Sequence, residues 1–486
     1  MKSFFLIIFF LFSTFNVGAE IYVNGAYEGS IDLYKYSQNY RWELSNPWNR
    51  IELRLWSNPI KNSEIYSKIY GDSWNTVNGY ERHDGFYLDE THIKYRIGAE
   101  KDNFEAYLFY KEVRFWLGDP LLYLVNNDYD KWGNKNTAGI VASVNGYIPG
   151  FYAKLFSARL YESDVDAYGA RIYEKIIDGF LHFGTTTTFK KWSGGADNYN
   201  FVYASDLWLN LYRTYITAEF AQSKTPVIQN YEEDNIAYKV EARRVLDFVS
   251  IGEFGLIGSY RDFGKNFRAY LSKDFDDNSK FDQKGFYFET KYKVPYKAIT
   301  FLYHLDYWKK HYDNYSVSDN YFEVYIKFIK GFRLKSYYQR YHENAWDKVT
   351  VTTLTGETKT VDLLDNTWQH FFVQLEMENK LAYVKIQFKI KNMYSEYLKY
   401  LYGAEYSINI TSKFKSLNRI VIADEIYRTR FTYFSQIQYR YSDNVNIYLG
   451  YGNENDTNDD LVNDDNFVES NNNIEQKIHL YVKASF

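Results

Sequence analysis

The charged residues of this sequence fall into alternating patterns rather than catalytic motifs. Lys385, Lys389 and Lys391 alternate with Val384, Ile386, Phe388 and Ile390. Glu376 and Glu378 alternate with Leu375 and Met377, and Glu323 and Lys327 with Phe322, Val324, Ile326 and Phe328. Arg333 and Lys335 are spaced the same way, and Arg50 and Arg54 lie four apart with Glu52 between them. A period of two puts each charged set on one face of a strand and the apolar set on the other. If the charged faces line a wet interior, opposite signs on facing walls create a field that biases which solutes pass. Alternatively they pair across strands and hydrate the wall. The candidate selectivity residues are Arg50, Arg54, Lys327, Arg333, Lys335, Glu376, Lys385 and Lys389.

Two segments break the alternation. In Arg114-Phe115-Trp116-Leu117-Gly118-Asp119-Pro120-Leu121-Leu122-Tyr123-Leu124-Val125-Asn126-Asn127, the Asp-Pro pair disfavours a continuous strand, because proline removes a ladder donor. Apolar residues in this setting suggest a loop folded inward as a constriction, with Arg114, Trp116 and Asp119 as its candidate residues. The alternative is two strands joined through a Gly-Asp-Pro turn. Segment 453–473 carries Glu454, Asp456, Asp459, Asp460, Asp464, Asp465 and Glu469 with no Lys or Arg. Such carboxylates suit calcium, but the EF-hand spacing is missing, so a solvated loop is the simpler reading. No metal site or cofactor is expected.

Enzyme signatures are missing. The eight His form no H-E-x-x-H, and there is no G-x-S-x-G elbow or P-loop. His304 and Asp306 share a strand face and could form a base and its orienter, but no Ser is tied to them. Catalysis is not expected. With no cysteine in 486 residues, disulfides, thiolate zinc sites and cysteine nucleophiles are excluded. A net charge of −5 gives no basic footprint for nucleic acid. Aromatics at 21%, with 52 Tyr, exclude general disorder and favour a pleated surface.

The elements that position these residues are strands. Residues 1–19 read as a signal peptide: Lys2, an apolar run from Phe4 to Phe12, and Val17-Gly18-Ala19 as a small-residue cleavage site. Later segments are too polar for a spanning helix, which leaves an exported soluble β-protein or a membrane β-barrel. The C-terminal strand separates the two. Ile478, Leu480, Val482, Ala484 and Phe486 alternate with Lys477, His479, Tyr481, Lys483 and Ser485. This resembles the last strand of bacterial outer-membrane β-barrels, which end in an aromatic residue read by the insertion machinery. The resemblance covers about ten residues and implies an outer-membrane location, lipid around the barrel and the insertion machinery as a partner. Tyr296, Tyr307, Tyr439, Tyr441 and Tyr451 fit interfacial girdles.

Connection lengths give an independent test, since such barrels alternate short periplasmic turns with long extracellular loops. Short turns are read at Ser442-Asp443-Asn444, Asn379-Lys380, Lys330-Gly331, Val294-Pro295 and Gly264-Lys265. Longer links are read at 453–473, 392–401, 343–366, 310–318 and 275–283, whereas both links around 413–427 look short. This reading gives roughly 13 strands from residue 253 onward. Earlier candidates are 21–29, 49–57, 86–98, 103–116, 137–145, 149–160, 168–176, 179–190, 203–220 and 235–249. The polar link 223–234 conflicts with the parity of this count. The expectation is an all-β, antiparallel transmembrane barrel over 20–486 with an even number of strands, about 22–24, or 18 as the alternative. Its expected function is porin-like diffusion of small hydrophilic solutes, with carbohydrates plausible from the many Tyr and Trp. An adhesin or structural barrel with a closed lumen, or a polymer-export barrel, is the alternative. Nothing in the sequence fixes an oligomeric state.

Overall fold

A computed structural model of the chain describes residues 20–486, except 37–41, 45–47, 60, 76–81, 100–101, 112–116, 126–136, 161–164, 194–197, 227–232, 249, 273–281, 296–297, 312–314, 345–347, 353–357, 363–365, 393–397, 426–427, 453–460 and 463–473. The expected signal peptide, Arg114 and Trp116 therefore lie outside the described residues, as do the seven acids of segment 453–473.

Alternation of side chains converts directly into strands. The first are β1 (Ile21–Tyr36), the short β2 (Trp42–Leu44), β3 (Trp48–Ser57), β4 (Ser63–Asn75), β5 (Arg82–Gly98) and β6 (Asn103–Tyr110). Then come β7 (Thr137–Asn145), β8 (Phe151–Leu160), β9 (Val165–Ile177), β10 (Leu181–Trp192), β11 (Tyr199–Leu211) and β12 (Thr214–Lys224). They are followed by β13 (Ile236–Phe248), β14 (Gly252–Phe263), β15 (Gln283–Lys293), β16 (Ile299–Lys309), β17 (Ser316–Ile329) and β18 (Phe332–Asn344). A separate hairpin is formed by β19 (Lys348–Thr352) and β20 (Thr358–Asp362). The wall resumes with β21 (Asn366–Glu378), β22 (Ala382–Lys391), β23 (Lys399–Asn409) and β24 (Phe414–Glu425). It ends with β25 (Arg428–Ser442), β26 (Val445–Gly452) and β27 (Ile474–Ser485).

Each wall strand pairs antiparallel with its neighbour, and β1 pairs with both β3 and β27. Leaving out β2, β19 and β20, 24 of the described strands close a barrel, so the 18-strand alternative is excluded. Closure is reinforced at the last residue, where Gly25 and Phe486 exchange backbone hydrogen bonds of 2.8 and 3.0 Å.

Tight connections gather at the end that holds Ile21 and Phe486, the terminal end; they include 178–180, 212–213, 249–251, 330–331, 379–381 and 443–444. The strand ends joined by the long connections, β6 to β7, β14 to β15, β18 to β21 and β26 to β27, all lie at the opposite, distal end. The link at 225–235 is also distal, which removes the parity conflict.

Four readings are corrected. Segment 203–220 is two strands joined at Tyr212 and Arg213, both left-handed (φ 49° and 67°), the backbone of a two-residue hairpin turn. Strand β4 was missed. Gly264-Lys265 joins no two strands but opens a long distal connection, so 12 wall strands rather than 13 lie from Gly252 onward. The strand expected over 103–116 stops at Tyr110.

The apolar side of the wall is exposed and the polar side enclosed. Phe183, Phe201, Tyr203, Leu207, Phe220, Ile386, Ile420, Leu449 and Leu480 are exposed, while Lys190, Asp206, Glu219 and Arg419 are buried. That inversion is what a lipid-facing barrel requires. Among the described residues, the three apolar clusters inside the barrel lie where distal segments fold onto the inner wall.

Candidate functional site

The inner wall carries a ladder of ion pairs. Around the closure, Asp32 bonds Lys477 (3.2 Å) and His479, and Glu28 bonds Lys483 (2.8 Å). Further round, Arg96 and Lys94 meet Glu105 (3.0 and 3.1 Å), Arg261 meets Asp306 (2.9 Å), and Arg419 meets Glu405 (2.6 Å). A local rule repeats inside the strands, where residues i and i+2 share a face. Tyr287 donates its hydroxyl to Glu289 (2.5 Å), Tyr321 to Glu323, and Tyr341 to Glu343 (3.4 Å). The more exposed of the ion pairs, such as Arg96–Glu105, stabilise by about 0–1 kcal/mol each, whereas the Arg419–Glu405 pair is largely buried. Their consequence is a wettable wall with little net charge.

The sequence candidates take different places on that wall. Arg50 lies on the inner face of β3, its guanidinium over the rings of Trp48 (5.4 Å) and Tyr70 (5.3 Å). Arg54 binds Glu52 at 2.6 Å. Arg333 reaches Glu376 (3.4 Å) and Glu378 (2.8 Å), Lys335 reaches Glu323 (3.1 Å), and Lys327 lies over the Tyr325 ring (5.8 Å). Lys385 and Lys389 are only 6% and 9% exposed. In register, Lys385 lies opposite Glu376 and Glu405, and Lys389 opposite Phe372 and Leu401, on a covered patch of the wall. Four candidates, Arg333, Lys335, Glu376 and Lys327, thus lie together on neighbouring strands β17, β18 and β21, whereas Arg50 and Arg54 lie across the closure on β3. Of the pair His304 and Asp306, His304 stacks on Tyr321 (4.9 Å) and Asp306 is held by Arg261 (2.9 Å).

Three distal segments enter the lumen. Segment 117–125 forms no strand and no strand pair. Leu117 and Val125 pack on Tyr107, Phe109, Val141, Phe156, Ala158 and Ala167. Leu122 and Leu124 pack on Val202, Ala204, Ala221 and Ala237. Segment 264–272 joins both clusters through Phe267, Ala269 and Leu271. It is pinned by Asn200, which donates to Arg268 O (3.0 Å) and accepts from Tyr270 N (3.2 Å), and by Lys190 Nζ on Tyr270 O (3.0 Å). Leu461 and Val462 fill the third patch, against Phe372, Leu401, Val421 and Ala423, and Leu461 N donates to Gln387 Oε1 (2.6 Å). Glycine permits that approach: a Cβ on Gly403 would lie 2.9 Å from Leu461 Cβ.

Residues that sequence reading did not single out hold segment 117–125 in place. Glu219 of β12 accepts from Leu121 N (2.8 Å) and Leu122 N (2.9 Å) through Oε2. Asp119 accepts from Leu124 N (2.7 Å) through Oδ2. Asp119 and Glu219 are 1% and 2% exposed, and the second oxygen of each is buried without a hydrogen-bond partner. Burial pushes the Asp119 carboxyl up to about 6, against the opposing pull of the Leu124 amide and Arg171. Beside them Arg171 forks onto Asp206 (2.6 and 3.0 Å) and reaches Thr186 (2.8 Å). The available signal was an isolated acid inside an otherwise small or apolar inner face, Glu219 next to Ala221 and Asp206 next to Ala204.

Below segment 117–125, toward the terminal end, is a cavity of ≈ 1000 Å³ lined by Lys154, Arg171, Tyr173, His182 and Trp208 among others. Aromatic rings also run across the wall, Tyr287–His304–Tyr321–Tyr337–Phe372, with centroids 5.9, 4.9, 5.3 and 4.7 Å apart and planes within 33°. Two of these contacts, His304–Tyr321 and Tyr337–Phe372, are stacked, so those rings turn their faces on one another. Trp208 is likewise stacked on His182 (4.2 Å).

No protein-family model matches the sequence, and no curated protein is similar to it. Solved structures similar in fold exist. A chain of the E. coli P pilus tip assembly intermediate PapC–PapD–PapK–PapG is 9% identical, with a TM-score of 0.58 over 95% of this chain and 60% of that one. The siderophore receptor PirA of Pseudomonas aeruginosa is 8% identical, with 96% and 80% of the two chains covered and a TM-score of 0.49. The P pilus usher (PapC) translocation pore is 9% identical, with 95% and 99% covered and a TM-score of 0.48. At these identities the likeness is one of fold.

Proposed function

We propose that the chain is an outer-membrane channel for passive, weakly selective diffusion of small hydrophilic solutes. The distal end faces the cell exterior and the terminal end the periplasm. The observation that carries the reading is the lumen itself: a wettable wall of paired charges, narrowed by three of the chain's own distal segments. In this reading Asp119 belongs to a constriction, and Arg50, Arg54, Lys327, Arg333 and Lys335 set the weak charge bias. Saccharides are admitted as hydrogen-bonding guests of ring edges and hydroxyls, since the faces of the stacked rings are occupied by one another. No catalytic step is assigned.

The test is conductance of purified, refolded protein in a planar bilayer under a salt gradient. Stepwise openings are expected, with a reversal potential near zero because the wall charges are paired. A barrel that inserts, shifts on heating in gels and stays silent overturns the channel reading. The likeness in fold to a chain of a pilus assembly intermediate would then favour polymer export, ahead of a sealed adhesin or structural barrel.

A further inference from the structure

We propose that segment 117–125 is a proton-operated latch: a proton carried by the Asp119–Glu219 pair holds it on the inner wall, and loss of that proton releases it. Three observations carry this. Both carboxyls face the segment's own backbone amides, and both are almost wholly buried. Each has an oxygen with no hydrogen-bond partner, which a buried ionised carboxylate tolerates poorly. Among the described residues neither forms an ion pair, while the charges around them are engaged elsewhere. On β9 and β11, Arg171 and Asp206 hold each other. On β13, Lys239 lies opposite Glu219 in register and within 4.0 Å of Glu241, which also binds Arg243. On β14, Arg261 is on Asp306, and on β10 His182 is bonded to Tyr173. In segment 264–272, Arg268 donates to the carbonyls of Lys265 and Phe267 (2.8 Å each). Lys154 of β8 lies opposite Arg171. Asp119 and Asp206, both of its own sign, bear on Glu219, and Arg171, engaged by Asp206, is an opposite charge near it.

The sign follows from linkage. A carboxyl that holds its proton more tightly when docked stabilises docking most in acid and loses that stabilisation as pH rises. For Asp119, docked near 6 and with an ordinary value of 3.8 when released, the contribution to docking is lost as pH rises from about 4 to 6. Acid therefore tightens the constriction. The latch depends on the channel reading for its physiological effect but not for its chemistry.

The experiment measures amide exchange of a peptide covering 117–125 in the intact barrel, corrected for intrinsic exchange, from pH 4 to 7.5. Protection in the wild type is expected to fall as pH rises, by about 100-fold from Asp119 alone. Asp119→Asn and Glu219→Gln remove the titrating groups while keeping the acceptors, so the fall should shrink in each. A flat wild-type profile, or variants that retain the full fall, overturns the latch. Heat-shifted mobility in gels checks that each variant forms the barrel, and because exchange needs no conduction, a silent channel would not mask the result.

Discussion

Replacing Leu122 and Leu124 by Ala should free segment 117–125 from the wall while leaving the barrel intact. The segment orders nine residues, at roughly 1–1.5 kcal/mol of conformational entropy each, or about 11 kcal/mol. Its gains are the buried side chains of Leu117, Leu121, Leu122, Leu124 and Val125, at about 2 kcal/mol each. Three amide bonds to carboxylates add about 1.5 kcal/mol each. Docking is then favourable by only about 3 kcal/mol. Truncating two leucines removes about 4 kcal/mol, which shifts the docked-to-free ratio by about a thousandfold. The chain contains no cysteine, so one introduced thiol is a clean reporter. In a Val125→Cys background, labelling by a water-soluble maleimide should be slow. With the two leucines truncated it should approach the rate of an exposed Tyr123→Cys control. Equal labelling of Val125→Cys with and without the leucines would refute the packing account of docking.

Further outcomes follow from the same geometry. Arg171→Met strands the Asp206 carboxylate inside the wall, both side chains being 4% exposed; the expected loss is about 3–5 kcal/mol, read as a lower denaturant midpoint. Adding Asp206→Asn should recover most of that loss, and no recovery would argue against an uncompensated charge. Arg50→Glu with Arg54→Glu should move the reversal potential toward cation preference, whereas Lys389→Gln, beneath the Leu461–Val462 patch, should leave it nearly unchanged. Gly403→Leu intrudes on Leu461, so protection of the Leu461 amide, now bonded to Gln387, should disappear without loss of the barrel.

Strands whose two faces differ sharply were legible in the sequence. In β22 and β27 one face is lipid and the other charged, so period two is visible residue by residue. Strand β4 escaped because Tyr66, Lys68 and Tyr70 put aromatics on its inner face opposite only Ile65 and Ile69 outside. The β11–β12 boundary escaped because Tyr-Arg, rather than a Gly- or Asn-containing pair, occupies a left-handed turn. The docking patches left a readable trace. Ile420-Val421-Ile422-Ala423 is apolar on both faces, as a strand becomes when something covers its inner side. What a single sequence could not supply was the pairing across distance: Glu219 meets the amide of Leu121, 98 positions earlier.

The seam between β1 and β27 also governs when the barrel can form. Asp32 and His479, bonded across it, are 447 positions apart. Until β27 has been synthesised and delivered, β1 and the newest strand each present an unpaired row of backbone donors and acceptors. A ring whose closing contact spans nearly the whole chain meets its largest loop-closure cost at that contact, a cost that grows only with the logarithm of the separation. The intermediates are therefore open, sticky ribbons in need of escort. A chain halted before Ile474 lacks the strand that pairs with β1 and keeps both edges open, so it is expected to aggregate or be degraded rather than close as a smaller barrel.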